Sequence, residues 1–187
     1  SKKIVTPYYA MGFNLGIFFG GLLAGYLINN SFTPWKAFLI LAIIGIIVSL
    51  IIYNFSLPKR MDFSGEGEKY KIPEKKVLIF GLLLFVIFGS SGIIMDWSPL
   101  WFTKELGAPL YLGGLGLMFY SFGGIISNLF SNQLINLFNE KIVASVFVIL
   151  GSGILFLSIL TMNIYIIMIA LLFYGFFIAN FVPLVIR

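Results

Sequence analysis

The sequence predicts an all-α integral membrane protein with six transmembrane helices, and three observations carry that prediction. Hydrophobic residues make up 60% of the 187 and charged residues only 10%, against about 25% charged in soluble domains. Apolar stretches of roughly the 20 residues needed to cross a hydrocarbon core recur along the chain. Lys and Arg, 12 in all, gather at one set of ends of those stretches, the bias expected of cytoplasmic loops. A transmembrane barrel would need alternating segments of about ten residues. The sequence has none.

Charges and turn residues divide the chain into apolar segments at Pro7–Ile28, Trp35–Leu57, Val77–Phe102, Tyr111–Leu137, Ile142–Thr161 and Tyr165–Ile186. Each is long enough to span with some tilt, and in lipid only a helix satisfies its own backbone in isolation. The first segment carries Gly12, Gly16, Gly20 and Ala24 on one stripe, with Gly21 and Gly25 beside it, a spacing that lets a neighbouring helix approach closely. With the N-terminus cytoplasmic, the inner side receives Lys2, Lys3, Lys59, Arg60, Lys69, Lys71, Lys75, Lys76, Lys141 and Arg187, and the outer side only Lys36 and Lys104. Both ends are therefore expected in the cytoplasm.

The stretch Pro58–Lys76 is the long polar interruption, and it mixes its basic residues with Asp62, Glu66, Glu68 and Glu74. A solvated linker fits it better than an anionic-lipid site, because the interleaved acids cancel the field. The expected organisation is residues 1–57 as two helices, 58–76 as the linker and 77–187 as four helices. That uneven division, with Ser1 in place of Met, predicts a piece of a larger membrane protein.

Absent residue types exclude whole chemistries. The chain has no Cys and no His, which removes disulfides, thiol nucleophiles, Cys or His zinc sites and imidazole proton relays. No catalytic residue, metal or cofactor is expected. The net charge of +5 does not indicate nucleic acid, because no polar domain carries the basic residues as an exposed stripe. A channel would show charged rings or a filter loop.

Several polar residues within the spans are candidates for function. Asn14 lies about halfway along the first segment, within roughly 5 Å of the midplane at 1.5 Å per residue; it either bonds a neighbouring helix or faces a cavity. Asp96 is the carboxylate within a span, but at ~30 Å from Lys76 it falls near the outer interface. Trp97 and Trp101 suit that level as aromatic anchors, and Pro99 should kink the helix there. A gate or structural role is expected for Asp96, Trp97 and Pro99. Tyr120, Gly124, Asn128, Asn132 and Asn136 recur every four residues in the fourth segment, predicting a polar face that suits a cavity wall. In the sixth segment, Tyr174, Asn180 and Pro183 place an amide beside a kink. A Phe taken singly is expected to face lipid.

Three strings carry a family resemblance: Met95-Asp96-Trp97-Ser98-Pro99-Leu100-Trp101, Gly113-Gly114-Leu115-Gly116, and Gly175-Phe176-Phe177-Ile178-Ala179-Asn180-Phe181-Val182-Pro183. With the layout of spans, they resemble helices 5 to 10 of the twelve-helix major facilitator superfamily, and within it the fucose-permease-like branch. The sequence departs from that branch at Ser90 and Ser91, where an acid is common, and at Ser127-Asn128 and Ser131-Asn132-Gln133, where a charged loop is usual.

What the resemblance implies is part of a two-bundle fold, in which 1–57 closes the N-terminal bundle, 58–76 is the cytoplasmic loop and 77–187 opens the C-terminal bundle. It also implies an inner-membrane secondary transporter that moves a small polar solute, a sugar or other metabolite, by alternating access at the midplane. The partners are then the solute, the bilayer and the remaining helices of the transporter. Asn14, Tyr120, Asn128 and Asn180 are the expected cavity residues; Asn132 and Pro183 join Asp96, Trp97 and Pro99 as gate or structural residues. A non-transporting receptor or scaffold built on the same fold is the alternative.

Overall fold

The structure, a computed structural model, describes residues 6–55 and 75–181, which form seven helices and no strand. They are α1 (Thr6–Asn29), α2 (Pro34–Phe55), α3 (Lys75–Lys104), α4 (Leu110–Leu129), α5 (Ser131–Phe138), α6 (Glu140–Ile159) and α7 (Ile164–Ala179). Of these, α1, α2, α3, α4 and α6 each hold a stretch long and apolar enough to cross a membrane, while α7 is apolar but shorter. Most of the predicted linker, Pro183 and the chain ends lie outside the described residues.

The fourth segment, expected as one helix over Tyr111–Leu137, divides in two. Phe130, at φ −100° and ψ 9°, leaves helical geometry and ends α4, and α5 follows as a separate short helix. Its sequence explains the break. Ile135 is buried against Val143 and Phe147 of α6, whereas Asn132, Gln133 and Asn136 are exposed, so α5 turns its one apolar edge toward α6. The recurrence from Tyr120 to Asn136 is therefore not a single polar face, and Asn132 lies on the exposed side of α5.

Local chemistry marks the other turns. Gly107 takes φ +65° in the connection from α3 to α4, a conformation that glycine adopts without steric cost. Asn163 caps α7, its Oδ1 accepting the amides of Tyr165 at 3.0 Å and Ile166 at 3.4 Å, which satisfies donors that a helix start leaves open. Pro99 does not end α3, which continues through it to Lys104.

Packing centres on α4, which lies against α1, α3 and α7, while α6 packs on α7. The contacts of α4 run backbone to backbone. A Cβ on Gly123 would collide with the carbonyl oxygen of Leu172, and one on Gly175 would collide with that of Tyr120. Across α1, a Cβ on Gly21 would come 3.4 Å from the Gly114 oxygen, and one on Gly114 would come 3.2 Å from the Gly21 oxygen. Gly25 meets Tyr111 and Asn14 lies on Gly124, so residue numbers fall along α4 as they rise along α1, and the pair is antiparallel.

The small-residue stripe of α1 is thus offset from the expected one. Asn14, Gly21 and Gly25, spaced seven and four apart, face α4, whereas Gly12, Gly16 and Gly20 have nothing within 4 Å. The two stripes sit side by side on the helix, and the partner's own glycines decide which one is used. The helix α2 has no buried residue between Pro34 and Tyr53. A helix apolar on every side and buried nowhere in the bundle is suited to lipid or to further helices.

These contacts predict unequal tolerance of glycine substitution. Gly123→Ala and Gly175→Ala should each cost about 1 to 3 kcal/mol by forcing α4 and α7 apart, whereas Gly45→Ala in α2, where nothing lies within 4 Å, should be neutral or stabilising. Thermal unfolding of the purified protein in detergent checks the order.

Candidate functional site

A cavity of about 340 Å³ opens between α1, α3, α4 and α7. Its polar groups are Asn14 from α1, Ser91 from α3 and Tyr120 from α4; the apolar lining includes Phe13, Ile87, Phe88 and Met95. Among the described residues, no charged side chain borders it. The wall is open at one side, since Phe13 and Phe88 remain 58% and 54% exposed.

Hydrogen bonding ties the helices of this wall together. Ser90 and Ser91 turn their hydroxyls back to the Ile87 carbonyl, at 2.8 and 3.0 Å. Ser91 also lies 2.8 Å from the Tyr120 hydroxyl, and Ser90 accepts from Tyr174 at 3.1 Å. A serine has one proton to give. That proton of Ser91 goes either to Ile87 or to Tyr120, so either hydroxyl of the Ser91–Tyr120 pair can be the donor. The rings of Tyr120 and Tyr174 lie 6.1 Å apart, so two tyrosines from adjacent helices are fixed by a serine pair on a third.

Asn14 borders the cavity, and its amide bonds its own helix rather than a neighbouring one. Its Nδ2 donates to Ala10 at 3.0 Å, and its side chain covers Gly124. The bare Gly124 is what makes room for it. Any larger residue there would displace the amide, because even a Cβ would lie 2.6 Å from Oδ1.

Asn128 and Asn180, the other two expected cavity residues, do not border this cavity. They lie near the ends of α4 and α7 and are buried there, as are Ser127 and Ser131. Asn180 is fully buried and donates through Nδ2 to Ser127 Oγ at 2.6 Å; Ser127 in turn donates to the Phe176 carbonyl at 2.5 Å. Asn128 Nδ2 donates to the Gly124 carbonyl at 2.9 Å.

Asp96 and Trp97 are exposed on α3. Near them, Pro99 is pressed against Gly113, whose added Cβ would come 3.2 Å from Pro99 Cα. The segment beyond Phe181 that holds Pro183 lies outside the described residues.

Sequence reasoning missed the roles of Ser90, Ser91 and Tyr174. The serines stood out only as a departure from an acidic position. The usable signal was chemical: adjacent hydroxyls deep in an apolar helix require partners, and tyrosines on two other spans can supply them.

The long apolar helices define a multi-pass membrane protein with a cavity between its spans. The chain matches the family model of the Major Facilitator Superfamily over residues 6–186, and it belongs to that family of membrane transporters. No curated protein and no solved structure matches it.

The network yields a stability prediction. Tyr120→Phe removes the bond to Ser91 while keeping the ring, and should cost about 0.6 to 1.7 kcal/mol, the range of interhelical hydrogen bonds in membranes. Unfolding in mixed micelles measures it. A variant as stable as the parent would show that the hydroxyl contributes nothing to holding α3 on α4.

Proposed function

We propose that the protein is a secondary active transporter of the fucose-permease-like branch, moving a small uncharged polar solute, a sugar or similar metabolite, by alternating access across an inner membrane. The observation that carries this reading is the cavity itself: uncharged hydrogen-bonding groups from three helices stand among apolar and aromatic side chains, the composition of a small-molecule site. An anionic solute would meet no basic residue there. A polyol would find the Tyr120 and Ser91 oxygens as acceptors and the aromatic rings for its apolar face.

In this reading α1 and α2 belong to one bundle and α3 to α7 to the other, with residues 58–76 as the cytoplasmic loop between them and both ends of the chain inside. The seam of α1 on α4 is then the contact between bundles. Further helices of the same transporter close the open side of the cavity, which accords with the exposure of Phe13, Phe88 and the whole of α2.

Two measurements test this. Asn14→Leu and Tyr120→Phe should each lower solute uptake about tenfold, the consequence of losing one contact worth some 1.4 kcal/mol, at unchanged protein level; uptake at the parental rate in both would overturn the cavity assignment. A cysteine at Gly107, in a chain that has none of its own, should react with an impermeant thiol reagent in intact cells. Reaction only after lysis would invert the orientation.

A further inference from the structure

Gly124 stands behind the cavity wall and not on it. Asn14 borders the cavity and Gly124 does not, yet the amide of Asn14 rests on the bare Cα of Gly124. A Cβ added there would come 2.6 Å from Oδ1, 2.8 Å from Cγ and 3.0 Å from Nδ2. The first two separations lie well inside van der Waals contact, so any residue but glycine obliges something to move.

What moves follows from how each part is held. The helix α4 is in backbone contact with α7 through Gly123 and Gly175, which leaves it little room to retreat from α1. For its part, α1 can retreat only by opening its close contact at Gly21 and Gly114. The Asn14 amide is the far end of a rotatable side chain, held by a hydrogen bond to Ala10 of its own helix. It is the part that yields. Asn14 is 9% exposed, and the open space beside it is the cavity, so an amide displaced from Gly124 turns into the cavity.

That displacement would both narrow the cavity and shift one of its polar groups. The volume of about 340 Å³ is near the lower end of the roughly 300 to 1,000 Å³ usual for small-molecule sites. An amide turned into so small a space removes a sizeable part of it. From this we infer that Gly124 is a positioning residue that sets, through Asn14, the size of molecule the cavity admits. The size limit belongs to the cavity itself; its consequence for a carried solute rests on the cavity being the transport site.

Thiol reagents of two sizes test admission directly. Gly92 borders the cavity from α3, and a Cβ there meets nothing within 4 Å. Gly92→Cys therefore places one thiol on the cavity wall of a chain that has no other. Labelling rates with N-ethylmaleimide and with the much larger fluorescein maleimide are compared on the purified protein in detergent. Adding Gly124→Ala should slow the large reagent relative to the small one about tenfold, as a clash of some 1.4 kcal/mol would. Adding Asn14→Ala as well should restore the parental ratio or exceed it, because no amide remains to be displaced. A general opening of the contact between α1 and α4 would not be rescued in that way.

An unchanged ratio in Gly124→Ala overturns the inference, and so does a fall that persists without the Asn14 amide. Should Gly124→Ala fail to fold, the double substitution with Asn14→Ala should fold and melt cooperatively; a double variant that also fails overturns the inference. Parental uptake in Asn14→Leu and Tyr120→Phe would instead end the transport assignment and leave the size limit standing.

Discussion

Everything described depends on how closely α4 approaches its neighbours. Dispersion falls off within fractions of an ångström, and in lipid there is no hydrophobic drive to bring helices together, so packing must supply the attraction. Here it does so through missing side chains. Gly123 and Gly175 let α4 and α7 touch backbone to backbone, and Gly21 and Gly114 do the same for α1 and α4. The approach also brings Cα hydrogens near facing carbonyls, a weak but recurrent attraction.

That spacing also places the polar groups. Because α7 lies so close, Ser127 reaches the Phe176 carbonyl and Asn180 reaches Ser127. Because Gly124 is bare, Asn14 fits over it and still borders the cavity. The serine pair of α3 then fixes Tyr120 and Tyr174, one hydroxyl to each. Two polar groupings result: a cavity wall whose hydroxyls are largely paired among themselves, and a buried Asn180–Ser127 pair that ties α7 to α4.

Much of the fold was legible because the bilayer imposes simple rules. Length and hydropathy marked the helices, and the departures occur where tertiary contacts override them. Phe130 breaks the fourth segment through the pull of Ile135 toward α6, which no period in the sequence reveals. On α1, the choice between two glycine stripes rests on which face its partner leaves bare. The candidate residues were legible in kind rather than in grouping. Asn14, Tyr120, Asn128 and Asn180 were selected as polar residues in apolar helices; that they divide between a cavity and the buried ends of α4 and α7 depends on helix rotation, which a sequence does not state.

The most direct test of the central claim is a disulfide between α1 and α4. A Cβ on Gly21 would lie 3.1 Å from Met118 Cγ, and in a disulfide each Cβ lies about 3 Å from the opposite sulfur. In a chain without other cysteines, Gly21→Cys with Met118→Cys should oxidise in the membrane to a linked species that stays joined after proteolytic cleavage within residues 58–76 and separates on reduction. Two thiols that remain free under oxidant, in a protein still folded, would contradict the backbone seam of α1 on α4 and the cavity built beside it.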